Sequence, residues 1–527
     1  MISGWRTLCP AYTMRRYRPG ALVISSARVL TNLLLAAMMS LASCDSGPSE
    51  PGSAGVRVVR GPEFSGVVAE QLDETFVVEF RGRDGKPLQN GEVVINCTRF
   101  EHPDEPCFLV RPLGSDDLTF YAFNTFVTDD RGRLTLESNF NTVAGTGWIR
   151  FRDLEGTVDD SVQFTARPGI PLGVRVAPAD TSVRVGQAVS LRGRVIDGFG
   201  NERSEPVTWT VSGAAGELAS PGVVRGLAHG RAKAKVTYST FADSVYVSVV
   251  PDGVLATVHN YDGPGSQDRV HVINTDGSGR VGPVVSSTCI RNIGWAPAGD
   301  RLTYTRDENP FGCFDPRIFI ATIATGAQTR LRPTLAPVLG ESMGRMGWTG
   351  PWFYFVARTI GPNGELWRVK TDGDSAGRVG PVARDIDYDH FPSASPDGSE
   401  VVYSSQRDFE PAPRLRILTV ATGAVRDHVA GGRVPSWSPD GTRIAYVRDG
   451  QFRVANVDLT GAELTFATPL AAGSAPPSWS PDGEWLVVTV GESTLGQISA
   501  LVHVNSGLVL PLGWTRWYSS VAWKPVP

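Results

Sequence analysis

From residue 55 onward, hydrophobic residues fall in short runs, and many of these runs alternate hydrophobic and polar positions. Residues 76–80, 93–95 and 134–136 are examples, and Gly, Pro and Asp separate such runs. A period of two places one side of an extended strand in a core, whereas an amphipathic helix needs a period near 3.6. No long stretch of the chain sustains the helical period, so the pattern predicts an all-β protein.

A repeat dominates the chain after residue 251. The motif Trp-Ser-Pro-Asp-Gly, or a variant of it, recurs at steps of 53, 46, 43 and 42 residues, beginning at Trp295, Trp348, Ala394, Trp437 and Trp479. An apolar strand follows each motif, and a second strand that ends in a Gly turn follows that. A unit of this length holds four short strands, which is one blade of a β-propeller.

The two ends of the repeat region complete the count of blades. Residues 519–525 carry the first half of a motif, and residues 250–258 carry the second half of one. Joined, they make a sixth motif, so we expect six blades and a ring closed by pairing of these segments. Closure also removes exposed strand edges.

The repeats of residues 251–527 resemble those of TolB-type propellers, and also those of prolyl-oligopeptidase-like enzymes. Residues 55–168 carry an Asp-Gly-Lys-Pro-Leu hairpin at 84–88, a Thr-Asp-Asp-Arg-Gly hairpin at 128–132 and Ala-Gly-Thr at 144–146, an order that resembles invasin-type bacterial Ig-like domains. Residues 170–250 carry Val-Gly at 185–186, Val-Thr-Trp at 207–209 and Gly-Leu-Ala-His-Gly at 226–230. This pattern is similar to a second bacterial Ig-like family, in which Trp209 is a core residue. The expected fold is therefore all-β, with two Ig-like β-sandwiches followed by a six-bladed β-propeller. TolB's own N-terminal α/β domain has no counterpart here, so membership in a Tol system does not follow.

The first 43 residues have the pattern of a signal peptide, with basic residues followed by an apolar run that is too short to span a bilayer. The run ends in Leu-Ala-Ser-Cys, which resembles the bacterial lipobox and implies lipidation of Cys44. The alternative is a plain secretory signal with a chance cysteine. Residues 44–54 form a flexible tether. No later apolar stretch is long enough to span a membrane, so the expected attachment is by lipid alone, in the periplasm or at the cell surface.

Charge and cysteine usage agree with export. Removing residues 1–43 removes five Arg and no acidic residue, which changes the formal charge from −4 to −9. Such an acidic protein is a poor candidate for nucleic-acid binding. The cysteines Cys97 with Cys107, and Cys289 with Cys313, fall into two local pairs, which predicts two disulfides in an oxidising compartment. Their spacing does not suit zinc.

Motifs for chemistry are scarce. The string Gly-Glu-Ser-Met-Gly at 340–344 matches G-x-S-x-G, but it lies in a loop rather than between a strand and a helix. No phosphate-binding, dinucleotide or zinc-protease motif occurs. From these observations we expect no catalytic residue, no metal, no cofactor and no enzymatic activity.

The channel mouth of the propeller is the expected binding face. The early residues of the innermost strands would rim it: Arg291, Arg345, His390, Arg433 and Trp517. Such a ring favours an acidic peptide or carboxylate ligand, unless these side chains pair with Asp385, Asp387 and Asp427. The sequence therefore predicts a non-enzymatic, lipid-anchored envelope protein whose propeller binds a protein or peptide. The alternative is a glycan-binding or hydrolase- or lyase-type propeller with its site at the same mouth.

Overall fold

The fold is seen in a computed structural model, which describes most of the chain from residue 55. The described residues are 55–61, 64–72, 74–97, 104–115, 119–179, 181–259, 267–287, 289–307, 316–331, 347–349, 351–358, 364–370, 376–381, 392–405, 412–466, 475–491, 498–515 and 518–526. Nearly all regular structure within them is β-strand. None of their helices is long and apolar enough to cross a membrane.

The described residues of the first module form nine strands. They are β1 (Gly55–Arg60), β2 (Ser65–Val67), β3 (Phe76–Arg81), β4 (Glu92–Cys97), β5 (Phe108–Pro112), β6 (Phe123–Val127), β7 (Arg133–Phe140), β8 (Gly145–Asp153) and β9 (Asp159–Arg167). One sheet has the order β1-β3-β7-β5 and the other has the order β2-β9-β8-β4-β6. Both sheets supply residues to one core.

Phenylalanine fills the core of the first module. Phe76, Phe108 and Phe140 are completely buried and meet edge to face, with ring centroids 5.3–6.1 Å apart. A disulfide joins Cys97 to Cys107, whose Cα atoms lie 5.6 Å apart. Because Cys97 ends β4 and Cys107 precedes β5, this bond links the two sheets across the core.

Ten strands are present in the described part of the second module. They are β10 (Pro171–Ala177), β11 (Thr181–Arg184), β12 (Ala188–Ser190), β13 (Arg192–Asp197), β14 (Glu202–Arg203), β15 (Thr208–Ser212), β16 (Gly216–Ser220), β17 (Val223–Gly226), β18 (Gly230–Tyr238) and β19 (Phe241–Val250). Their sheets have the orders β10-β13-β14, β11-β19-β18-β15 and β12-β17-β16. Trp209 lies in the shared core, as expected.

The turn after β13 connects the two modules. The Asn201 side chain accepts a hydrogen bond from the Ala144 amide at 2.8 Å and donates one to the Thr142 carbonyl at 2.9 Å. Asp197 accepts from the Gly169 amide, also at 2.8 Å. The two Asn201 bonds join the β7–β8 turn of the first module to the β13–β14 turn of the second, and the Asp197 bond fixes the linker, so the two modules do not depend on a single covalent link.

The remaining strands form four-stranded antiparallel sheets, which are the blades. They are β20 (Val254–His259), β21 (Asp268–Asn274), β22 (Val281–Ser287), β23 (Arg291–Trp295), β24 (Arg301–Asp307), β25 (Pro316–Thr322), β26 (Gln328–Arg330), β27 (Gly347–Thr349), β28 (Trp352–Arg358), β29 (Gly364–Lys370), β30 (Ala376–Pro381), β31 (Ser393–Ala394), β32 (Glu400–Ser405), β33 (Arg414–Thr419), β34 (Val425–Ala430), β35 (Arg433–Trp437), β36 (Arg443–Arg448), β37 (Gln451–Asn456), β38 (Leu464–Phe466), β39 (Ser478–Trp479), β40 (Trp485–Val490), β41 (Ile498–His503), β42 (Val509–Leu512) and β43 (Tyr518–Trp523).

The described strands of this region make six blades arranged in a ring. Blade one has the order β43-β20-β21-β22, and blades two to six each take four consecutive strands from β23 to β42. The innermost strand of each blade contacts that of the next, from β43 through β23, β27, β31, β35 and β39 back to β43. Leu255 pairs with Trp523 and Val258 with Ser520, so the predicted closure of the ring is confirmed.

The repeated motif makes both the turn and the contact between blades. In blade five, Ser438 donates to Asp440, whose carboxylate accepts from the Thr442 amide at 3.0 Å, while Gly441 takes a φ of +76°. The turns at 395–400 and 480–485 repeat these bonds. The Trp479 indole donates to the Ser436 carbonyl of the preceding blade at 3.0 Å. The turn and the contact between blades are structural roles, and together they account for the repeated motif.

Candidate functional site

The predicted channel mouth is described only in part. Arg291 and Arg433 are the first residues of the innermost strands β23 and β35, which is the rim position expected for them. Arg345, His390 and Trp517 lie outside the described residues, as do Cys44 and the G-x-S-x-G string. The assembly of these side chains into one ring therefore stays a prediction.

Arg433 is the rim arginine whose side chain is described. It is exposed, and it has no ion pair among the described residues. Asp427, one of the acidic residues considered as a partner for the ring, instead accepts from Arg416 at 3.1 Å and lies 3.7 Å from Arg414. Asp385 and Asp387 lie outside the described part of the chain. Within the part of the chain that the structure describes, Arg433 thus presents an exposed positive charge without an ion-pair partner at the inner edge of blade five.

The structure describes one of the two cysteines of the second predicted disulfide. Cys289 is disulfide-bonded. Its predicted partner, Cys313, lies outside the described residues.

A polar junction joins the second module to the propeller. The Arg184 guanidinium donates from Nε to Asp276 at 2.9 Å and from Nη1 to Asp252 at 3.2 Å. Burial alone would raise the pKa of Asp276, but hydrogen bonds from Ser278 and Arg184 lower it below its ordinary value. β11 pairs in parallel with the end of β19, which places Arg184 beside Val250 at the entry to blade one.

Apolar and aromatic contacts extend the same junction to blade six. Val250 is completely buried in a cluster with Trp485 and Trp523. The His229 ring lies edge-on to Trp485, with centroids 5.1 Å apart, and His503 approaches the same indole at 4.8 Å. His229 is an exposed residue in the bend before β18, and its ring also contacts a blade that lies more than 250 residues further along the chain.

A cavity of about 310 Å³ opens between blades four and five. Its polar lining includes His428 on β34, Tyr446 and Arg448 on β36, Asn456 at the end of β37, and Thr460 and Glu463 in the loop that follows. His428 and Tyr446 are buried, whereas the loop from Asp458 to Ala462 is exposed and forms the rim. The walls of this site come from two different repeats, so the sequence pattern of one repeat does not predict it.

The charges of Arg448 and Glu463, which line this cavity, and of the neighbouring Arg453 and Asp449 compensate one another. Glu463 accepts hydrogen bonds from Arg448 and, at 2.7 Å, from Arg453. Asp449 lies 3.9 Å from Arg448 and 3.7 Å from Arg453. Burial lowers the pKa of His428 to about 4, and the positive charge of Arg426 contributes. His428 is therefore neutral at pH 7, and the two arginines face two carboxylates.

Similarity to known proteins is limited in extent. No protein-family model matches the chain. The uncharacterized protein Atu1656 of Agrobacterium fabrum is 33% identical over 172 residues, which cover 29% of this chain and 53% of that protein. The chain thus spans about half the length of this curated relative.

Among solved structures, TolB from Acinetobacter baumannii is similar at 18% identity and a TM-score of 0.44, with 61% of this chain and 82% of that chain covered. The periplasmic gluconolactonase PpgL of Pseudomonas aeruginosa is similar at 16% identity and a TM-score of 0.35, covering 49% of this chain and 82% of the other. An oligogalacturonate lyase in complex with manganese is similar at 16% identity and a TM-score of 0.31, covering 50% and 74%.

Two conclusions follow. A TolB is among the similar structures, in line with the predicted TolB-like propeller, and the assignment of the fold depends on the strand order and the ring of blades described above. The expectation that the protein is not an enzyme is wrong as stated, because a lyase and a lactonase are among the similar structures as well. A propeller provides a scaffold on which either class of function is built.

Proposed function

We propose that this is an exported envelope protein, lipid-anchored through Cys44, whose N-terminal modules form a stalk for a ligand-binding propeller. The modules are those of residues 55–168 and 170–250, which we assign to the bacterial Ig-like class. The propeller of residues 251–527 binds a protein or peptide partner at its channel mouth. The tether of residues 44–54 connects the stalk to the lipid.

The observation that carries this proposal is the fixed junction at Arg184. A guanidinium that bridges Asp252 and Asp276, together with the buried Val250, ties the second module to blade one. The bonds of Asn201 tie the first module to the second in the same way. A stalk that is fixed at both junctions holds the propeller at a set distance and orientation, which a freely jointed chain of domains does not.

Partner binding is supported by the charge at the channel rim. Arg433 is exposed and lacks an ion pair among the described residues, so it is available to a carboxylate. An exposed arginine at the mouth of a concave channel attracts acidic segments and forms paired hydrogen bonds with them.

Two experiments test the proposal. Mass spectrometry of the protein from its native envelope should show a lipid-modified N-terminus at Cys44, and a retained leader or an unmodified Cys44 would disprove the anchor. A photo-crosslinking residue placed at Arg433 in the full chain should capture a discrete partner. The same residue placed at Arg131, which is exposed in the first module, should not capture it. Equal capture from both positions would count against the channel mouth.

A further inference from the structure

The cavity between blades four and five holds two buried polar groups that lack partners. His428 is 8% exposed and Tyr446 is 0% exposed. Among the described residues, neither His428 Nε2 nor the Tyr446 hydroxyl has a hydrogen-bond partner. Buried polar groups are nearly always satisfied, so two unsatisfied groups that line the same cavity need an explanation.

The repeat allows Tyr446 to be compared with the tyrosines at the same position of other blades. Tyr304, Tyr403 and Tyr446 each lie nine residues after the first residue of their motif. All three are completely buried. In blade two the Tyr304 hydroxyl donates to Gln328 Oε1 at 2.7 Å. Gln328 lies on β26, the outermost strand of the same blade, so blade two satisfies its own tyrosine. In blade five, Tyr446 lines the cavity, and its buried hydroxyl has no hydrogen-bond partner among the described residues.

We propose that this cavity binds a small, neutral, polyhydroxylated molecule of about the size of a monosaccharide, held by His428 Nε2 and the Tyr446 hydroxyl. A volume of about 310 Å³ lies at the small end of the range for ligand pockets. A hydroxyl group both donates and accepts, which suits a neutral imidazole and a phenol. This site is separate from the channel mouth and does not rest on the function proposed above.

The other polar groups favour an uncharged ligand. The cationic Arg448 and Arg453 are already held by the carboxylates of Glu463 and Asp449. A charged ligand would have to displace one of these ion pairs, whereas a neutral one leaves them intact. Asn456 already donates to the Thr460 carbonyl at 2.7 Å, which fixes the rim loop beside the cavity.

The test is a titration of the full mature protein at pH 7 with D-glucose, D-galactose and N-acetyl-D-glucosamine, followed by saturation-transfer NMR and calorimetry. D-Galacturonate and D-glucosamine serve as the anionic and cationic comparisons. We expect saturable binding of at least one neutral sugar. No saturable binding by any of the three at 50 mM (roughly the weak end of specific affinity), or binding of a charged sugar alone, would overturn the proposal.

Two pairs of variants locate the binding. Tyr446→Phe removes an unpaired hydroxyl, so it should keep the unfolding midpoint and weaken sugar binding by about five- to tenfold. Tyr304→Phe, at the same repeat position, should leave binding unchanged. Ala462→Tyr covers the exposed rim and should abolish binding, whereas Ala424→Tyr, which also follows a turn glycine but in blade four, should not. Equal sugar affinity in the wild type, Tyr446→Phe and Ala462→Tyr would place the binding elsewhere and refute the site.

Discussion

Arg184 of the second module and Asp276 of blade one form an ion pair across the junction between two structural units, with Nε and Oδ2 2.9 Å apart. The Asp276 side chain is only 9% exposed, so its charge depends on this arginine and on Ser278 for compensation. Most of the other arginine pairs in the second module, such as Arg192 with Glu202, are exposed. The Arg184 pair therefore differs from the exposed pairs because it lies between two structural units and includes a buried carboxylate.

Replacing Arg184 by Leu should destabilise the junction by about 1–3 kcal/mol, because Asp276 is left partly buried without its cation. Urea unfolding followed by tryptophan fluorescence measures the loss, and a double-mutant cycle with Asp276→Asn isolates the coupling of the pair. Arg192→Leu is the matched control and should change stability by less than about 1 kcal/mol. Additive effects of Arg184→Leu and Asp276→Asn would show that the pair does not fix the junction.

Replacing Cys97 and Cys107 together with Ala removes the disulfide of the first module. The stability of that module should fall by about 2–3 kcal/mol, the contribution expected of a disulfide that closes a loop of this length. The bond also links the two sheets, so its loss should appear in the unfolding transition of the first module. As a control, a reductant is added to the wild type and to the double variant. If the reductant lowers the unfolding midpoint of the first module equally in both, the assignment of the Cys97–Cys107 disulfide is contradicted.

The closing strand of the ring leads to a third prediction. Trp523 on β43 is buried against blades one and six, so Trp523→Ala should cost about 3–5 kcal/mol. Trp148→Ala removes the same side chain from a position that is 45% exposed and should cost far less. Thermal unfolding of the two variants measures this difference. Similar losses of stability in both would show that closure of the ring contributes little to the stability of the propeller.

Acid should destabilise the protein partly through His428. Its pKa is about 4 in the folded protein and near 6.5 in the unfolded chain, so between these values the unfolded chain binds more protons. Stability therefore falls as the pH is lowered from 6.5 to 4, by at most about 3 kcal/mol from this residue.

The variant His428→Gln should show a shallower loss of stability between pH 7 and pH 4.5, measured by urea unfolding. His271, whose pKa burial and Arg280 also lower to about 4, is present in both proteins, so the difference between them reports on His428. Parallel pH profiles would mean that His428 is not held neutral.

The blade architecture could be predicted because its causes are local. Asp440 and Gly441 specify a turn within a few residues, and the same turn recurs at 395–400 and 480–485, so counting motifs amounts to counting blades. Even the ring closure could be deduced, because the two half-motifs are complementary pieces of one local pattern.

The cavity and the junction could not be predicted because neither is local. Tyr446 looks the same as Tyr304 in sequence, and only the neighbouring side chains decide that one hydroxyl has Gln328 and the other has none. His428 enters the cavity from the preceding blade. His229 meets Trp485 only when the second module docks on blade six. A repeat indicates where each side chain sits in its own blade but not what the next unit places opposite it.

The pairing of β43 with β20 has a consequence for the order in which the propeller folds. Blade one takes three strands from the start of the propeller and its innermost strand from residues 518–523. The ring therefore cannot close until residues 518–523 are available to pair with β20. Until then, β20 presents an unpaired strand edge, which is the kind of surface on which another chain can add a strand.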